Sequence, residues 1–119
     1  MTSRVLFEIP DGRGLTVQVR EGVWRHIVQG HPEMASEEEA VRLTVSDPDL
    51  VVRPISRARG RGIERRINCR LGARSRRSRA YLWVPIDYGP EENWIVTAYS
   101  NLLTPKGEIL YVRLPHRRP

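Results

Sequence analysis

One cysteine and one lysine stand among the 119 residues. The lone cysteine, Cys69, excludes an internal disulfide framework and suits a reducing compartment. No apolar run approaches the ~20 residues a membrane-spanning helix needs. The opening residues, MTSRVLFEIPDGRG, carry no apolar stretch leading to a small-residue cleavage site, so no signal peptide is expected and a cytoplasmic location is. Neither CxxC nor HExxH occurs. The GRG triplets at 12–14 and 60–62 lack the spacing that cradles a phosphate and read as turn fragments, so nucleotide hydrolysis has no support.

What is present is arginine. Nineteen of the twenty basic residues are arginine, and the formal charge is +6. Residues 53–80, RPISRARGRGIERRINCRLGARSRRSRA, hold eleven arginines against a single acid, Glu64. That is a local charge of +10, so the remaining residues sum to −4. A codon bias can produce the arginine-to-lysine ratio but not this clustering. One cationic segment on a slightly acidic body points to a polyanionic partner, most often nucleic acid. Arginine suits that partner because its fork binds phosphate bidentately and stacks on bases.

The length fits one domain. Residues 4–9 and 15–19 are short β-like runs separated by the turn signal PDGRG, an N-terminal hairpin over 4–19. Residues 21–30 place Val23, Trp24, Ile27 and Val28 on one helical stripe, ended by Gly30 and Pro32. A second helix is predicted over about 37–46. Ser36 and Glu39 read as its capping box, Glu37, Glu38 and Glu39 fill its first turn, and DPD at 47–49 stops it. Strands are predicted at 50–55, 63–71, 80–88, 94–100 and 108–114, followed by a frayed tail at 115–119. The order predicts an α+β fold in which the hairpin and two helices pack on one face of a four- or five-stranded antiparallel sheet spanning 50–114. The open face is expected to carry Arg66, Asn68, Arg70, Tyr81, Trp83, Thr97 and Tyr99.

His26 and His31 invite a metal reading. Five positions put them about 140° apart around a helix, so they do not share a face, and neither a metal nor another cofactor is expected. Cys69 falls on the apolar half of its strand, where a free cysteine is a small buried hydrophobe. Metal-free cleavage of RNA remains. It needs a base for the ribose 2′-hydroxyl, an acid for the leaving 5′-oxygen, and groups that hold charge on the phosphorane. Histidine suits the first two roles and arginine the third, while tyrosine or threonine positions the phosphate or assists proton transfer. Tyr81, Trp83 and Tyr99 are candidates for stacking on unpaired bases. Arg57, Arg59, Arg61, Arg65, Arg70, Arg74, Arg76, Arg77 and Arg79 are candidates to hold the RNA backbone. Each residue also has a plainer reading. His26 fits a solvated helix position and His31 a helix end. Thr97 and Tyr99 fit a stabilising cross-strand pair, the arginine run fits a solvated loop, and Trp24 and Trp94 fit a core.

WxHIxxxHPE at 24–33, a second helix running into DPD at 47–49, and IVTAY at 95–99 occur here in one order. In this the chain resembles the phage- and toxin-associated members of the barnase–EndoU–colicin–RelE class of metal-independent ribonucleases. Its layout is similar to that of BrnT-type toxins. The resemblance covers roughly residues 20–100. It implies a two-helix, four-stranded antiparallel fold that cuts RNA. His26 and His31 match the helix histidines, Thr97 and Tyr99 the late-strand signature, and Arg66 the strand arginine facing the phosphate. It further implies a toxin held in check by an acidic antitoxin that masks the arginine segment. Some relatives of this shape act on proteins or have lost activity. A non-catalytic RNA-binding or protein-targeting module is therefore the alternative.

Overall fold

The computed structural model describes residues 3–55, 60, 62–70 and 81–113. Chain order gives β1 (Val5–Pro10), β2 (Thr16–Arg20), α1 (Glu21–Gly30), a 3-10 turn (Pro32–Ser36), α2 (Glu38–Ser46), β3 (Leu50–Pro54), β4 (Glu64–Arg70), β5 (Tyr81–Tyr88), β6 (Asn93–Ile95), β7 (Tyr99–Asn101) and β8 (Gly107–Val112). All eight strands belong to one sheet, in the order β1-β2-β6-β5-β4-β3-β8, with β7 also pairing β5. The α+β class is as expected. The strand count is not, because the N-terminal hairpin joins the sheet rather than packing on it and the run predicted over 94–100 divides into β6 and β7. Its β2 meets β6 in a parallel pairing, Gln18 opposite Trp94, while every other pairing is antiparallel.

Alternation along the strands sorts side chains onto two faces. Phe7 and Ile9, Val17 and Val19, Leu82, Val84 and Ile86, with Ile95 and Ala98, meet Ile27 of α1, Met34 of the 3-10 turn, and Val41 and Val45 of α2. Full burial of side chains of this size contributes about 1.5–3 kcal/mol each, so this layer between helices and sheet dominates the packing. A smaller cluster forms on the other face. Ile67, Cys69 and Trp83 are buried there, with Leu50, Tyr81 and Tyr99 packed against them.

The predicted face assignment puts β5's Tyr81 and Trp83 on the correct side of the sheet, though Trp83 is buried there, and is wrong for β4. Arg66, Asn68 and Arg70 pair with Ile86, Val84 and Leu82, which puts them on the helix side. The reason is the C-terminal end of α2, whose last carbonyls have no partner within the helix. Asn68 donates from Nδ2 to the carbonyls of Thr44 and Val45 at 3.2 and 3.3 Å. Arg70 donates to the Asp47 carbonyl and, at 2.9 Å, to its carboxylate. Arg113 holds the same carboxylate from β8's end. The polar half of β4 thus caps a helix instead of meeting solvent.

The capping box is also absent. Ser36 closes the 3-10 turn, and Glu37 stands at the start of α2 without a side-chain cap. Pro32 opens that turn at a position where the missing N–H costs nothing, and the turn absorbs the residues that would have formed the box.

Asp11 fixes the β1–β2 turn. Its buried carboxylate accepts from the amides of Arg13 and Leu15 at 2.8 and 2.9 Å and from the Tyr88 hydroxyl at 2.7 Å. Gly14 supplies the left-handed residue of the turn, at φ 88°. Burial alone would push the Asp11 carboxyl up. The Tyr88 hydroxyl, the two amides and the Arg13 charge outweigh it and hold the pKa below its ordinary 3.8. With the folded pKa below the unfolded one, this stabilisation is complete above 3.8 and is lost as pH falls through the folded value. Denaturant titrations from neutral pH downward are expected to show wild-type stability declining below that point. Asp11→Asn should be weaker at neutral pH and should lose less on acidification. Parallel curves for the two proteins would contradict this account.

Candidate active site

β5 carries a proline in the middle of a central strand, a position where a ladder bond must be missing. The Pro85 carbonyl accepts from the Val96 amide at 2.9 Å, but Pro85 has no N–H to return. The run predicted as one strand over 94–100 therefore opens here. It becomes β6 and β7, with residues 96–98 outside both. The alternation shifts across the break, since Ile95 and Ala98 both enter the helix-side core. Thr97 is left free of the ladder, and Tyr99 pairs with Trp83 on the face away from the helices.

On that face lies a depression of about 510 Å³. Thr97 and Tyr99 line it, with Arg65 of β4, Pro85 of β5, Pro54 and Ile55 from the end of β3, and Pro105 and Lys106 from the approach to β8. His31 approaches Tyr99 of this group. Its ring centroid is 6.2 Å from that of Tyr99, with the planes 37° apart. The backbone sets this position, because His31 caps α1 with its N–H on the Ile27 carbonyl at 2.7 Å. The helix-end reading of His31 therefore holds. Nδ1 is 3.7 Å from Glu33 Oε1. Burial, with the nearby Cys69 sulfur, raises the Tyr99 phenol above its ordinary value. Tyr99 is thus a neutral donor at physiological pH.

Thr97 and Tyr99 share the depression with Arg65 rather than Arg66, and His31 meets Tyr99. Arg65 donates from Nε and Nη2 to Asp87 at 2.7 and 3.0 Å, a bidentate pair with a buried carboxylate that fixes the guanidinium. Hydrogen bonding to Asp87 raises the Arg65 pKa further. Arg66 is across the sheet, bonded to Glu64 at 2.6 Å. His26 is exposed on α1 and shares no ring contact or ion pair with the group.

The aromatic stacking candidates divide. Trp83 is 1% exposed, and its Nε1 donates to the Asn101 carbonyl at 3.0 Å. It is core, not a stacking platform. Tyr81 is half-buried against the same cluster. Trp24 and Trp94 are both half-buried, Trp24 against the helix-side core. Arg70 is committed to Asp47. Arg57, Arg59, Arg61, Arg74, Arg76, Arg77 and Arg79 lie outside the described residues. Cys69 is buried, and burial, with the Asp49 charge, pushes its thiol up to about 12, which makes it a poor nucleophile.

A second cavity, of about 380 Å³, opens on the helix side between the β1–β2 turn, the end of α2 and β8. Arg13 stacks over the Tyr88 ring at 4.8 Å, and Arg66 reaches it at 5.9 Å. Its charges are mutually satisfied: Arg13 with Asp11, Arg66 with Glu64, and Asp47 with Arg70 and Arg113. Burial and the Asp11 carboxylate raise the Tyr88 phenol. This cluster reads as structural.

Among the described residues, no three or more His, Cys, Asp or Glu side chains converge as a metal site requires. No described helix is long and apolar enough to cross a membrane.

Sequence reasoning did not find Lys106 or Asp87 as site residues. The available signal was Pro85 inside an otherwise regular strand, which marks where the ladder opens and what it exposes. The chain matches no protein-family model, no curated protein and no solved structure.

Proposed function

We propose that the protein is a metal-independent endoribonuclease of the cytoplasm that cleaves by attack of the ribose 2′-hydroxyl. The observation that carries this reading is the approach of the His31 ring to Tyr99, at 6.2 Å, beside a depression that Thr97 and Arg65 also line. His31 takes the 2′-hydroxyl proton. The freed oxygen attacks the adjacent phosphorus and displaces the 5′-oxygen, which Tyr99 protonates. The Thr97 hydroxyl and the fixed Arg65 guanidinium hold the phosphate as charge builds on it. Tyr99 recovers its proton from His31 when the products leave.

The arginine segment 53–79 holds the RNA backbone in this reading. An acidic antitoxin masks the same segment, which makes the protein the toxin of a toxin–antitoxin or phage-linked pair. Purified protein incubated with total RNA in EDTA is the test, and fragmentation is the expected result.

A binding module without catalysis is the second reading, and a different observation favours it. Ile55, Leu102, Leu103 and Ile109 are exposed, at 73, 63, 75 and 58%, on segments that form or adjoin the rim of the depression. Exposed apolar side chains grouped this way suit a protein contact. RNA binding that weakens steeply with salt and leaves the RNA intact would favour that module.

A further inference from the structure

We infer that the sheet-side depression seats one unpaired nucleotide, its phosphate at Lys106 and its base against Pro54, Ile55, Pro85 and Pro105. The inference rests on the ribonuclease reading for its substrate, and it adds to the Asp87-paired Arg65 a second cation and a base platform.

The cation follows from the ion pairs. Arg65 is committed to Asp87, Arg66 to Glu64, Arg70 to Asp47, and Arg53 to Glu108 and Glu64. Each of these guanidinium groups already faces a carboxylate, so an incoming phosphate must compete for it. Lys106 is exposed, lines the depression, and has no ion-pair partner among the described residues. Its position is nonetheless fixed. The Lys106 carbonyl accepts from the Ile55 amide at 3.1 Å. The next residue, Gly107, is pressed so close to the Arg53 carbonyl and the Pro54 backbone that a Cβ could not fit. The single lysine of the chain is therefore carried by a tightly held backbone while its ammonium group stays available.

The base platform is apolar. Three proline rings and the exposed Ile55 side chain form much of the wall, with the Tyr99 ring beside them. Such a surface has little to offer a phosphate but suits the flat face of a base. The volume of about 510 Å³ falls within the ~300–1,000 Å³ of small-molecule sites. A base inside a duplex is stacked on both sides and cannot reach such a wall, so the seated nucleotide must be unpaired.

The test measures binding apart from cleavage. A fluorescent single-stranded oligodeoxynucleotide has no 2′-hydroxyl and cannot be cut by the proposed route. Its anisotropy is followed with the full chain over a range of salt. Wild type is expected to bind it more tightly than a blunt duplex of the same sequence. Lys106→Ala should weaken binding and lower the log Kd against log salt slope by about 0.7, the share of one phosphate contact on a single strand. Lys106→Arg should restore the slope. Ile55→Ser should weaken binding with the slope unchanged. Arg25→Ala, in the middle of α1 and outside the lining of the depression, should change neither quantity. An unchanged slope in Lys106→Ala, or equal affinity for the duplex, overturns the inference. RNA cleavage, assayed in parallel, separates the two claims. Binding as described without cleavage would remove the ribonuclease reading and leave the nucleotide seat. Cleavage with an unaltered Lys106→Ala slope would do the reverse.

Discussion

His31→Ala is expected to lower RNA cleavage by about 10²- to 10⁴-fold, the usual contribution of a positioned general acid or base. The circular dichroism spectrum should not change. The side chain is part-exposed, and its one structural duty, closing α1, is performed by the backbone N–H, which alanine retains. His26→Ala is the matched comparison. His26 is exposed on the same helix, belongs to the same sequence motif, and lacks the ring contact that His31 makes with Tyr99. Its loss is expected to cost far less. Equal losses in the two variants would mean that the motif acts as a pair and that the contact with Tyr99 does not select between them.

Trp83→Ala is expected to have the largest effect on stability, a loss of about 3–5 kcal/mol, as for other buried Trp-to-Ala changes. Trp83 is the largest fully buried side chain. It forms the small cluster with Ile67 and Cys69 under Tyr99, and its removal leaves the Asn101 carbonyl without its donor. Marginal stability of about 5–15 kcal/mol for a domain makes such a loss a large share of the total. Urea melts of wild type and variant give the number directly. A surface stacking residue would show almost no change in melting and a large change in RNA affinity, and that pattern would reverse the assignment of Trp83 to the core.

Much of the fold could be read from periodicity. The hairpin, both helices and the strands β3, β4, β5 and β8 lie within a residue or two of the predicted ranges. Alternation reports that a strand has two faces but not which one meets the helices. Asn68 and Arg70 look like solvent residues until the unpaired carbonyls at the end of α2 are seen to need donors. Glu39 and Ser36 have the right spacing for a capping box, yet Pro32 starts a 3-10 turn that consumes Ser36. The break between β6 and β7 follows from one missing N–H on Pro85, a residue in a different strand. Local sequence around 94–100 carries no sign of it.

The site was legible in the same partial way. Thr97 and Tyr99 line one depression, and the His31 ring approaches Tyr99. The arginine shifted by a single position, from Arg66 to Arg65. A one-residue step along a strand moves a side chain to the opposite face, and short motifs do not fix that parity. Lys106 and Asp87 could not be found at all without coordinates. Neither belongs to a motif, and their relevance lies in ion pairing: Asp87 occupies Arg65, while Lys106 faces no carboxylate among the described residues.

The chemistry at the cut is the most direct measure of this account. End-group analysis of the RNA fragments formed in EDTA should find 2′,3′-cyclic phosphate on one side and 5′-hydroxyl on the other. A substrate with a 2′-deoxy sugar at the cleaved position should stay whole. Fragments ending in 3′-hydroxyl and 5′-phosphate, or cleavage that persists at the 2′-deoxy position, would contradict attack by the 2′-hydroxyl, and the roles given to His31 and Tyr99 with it.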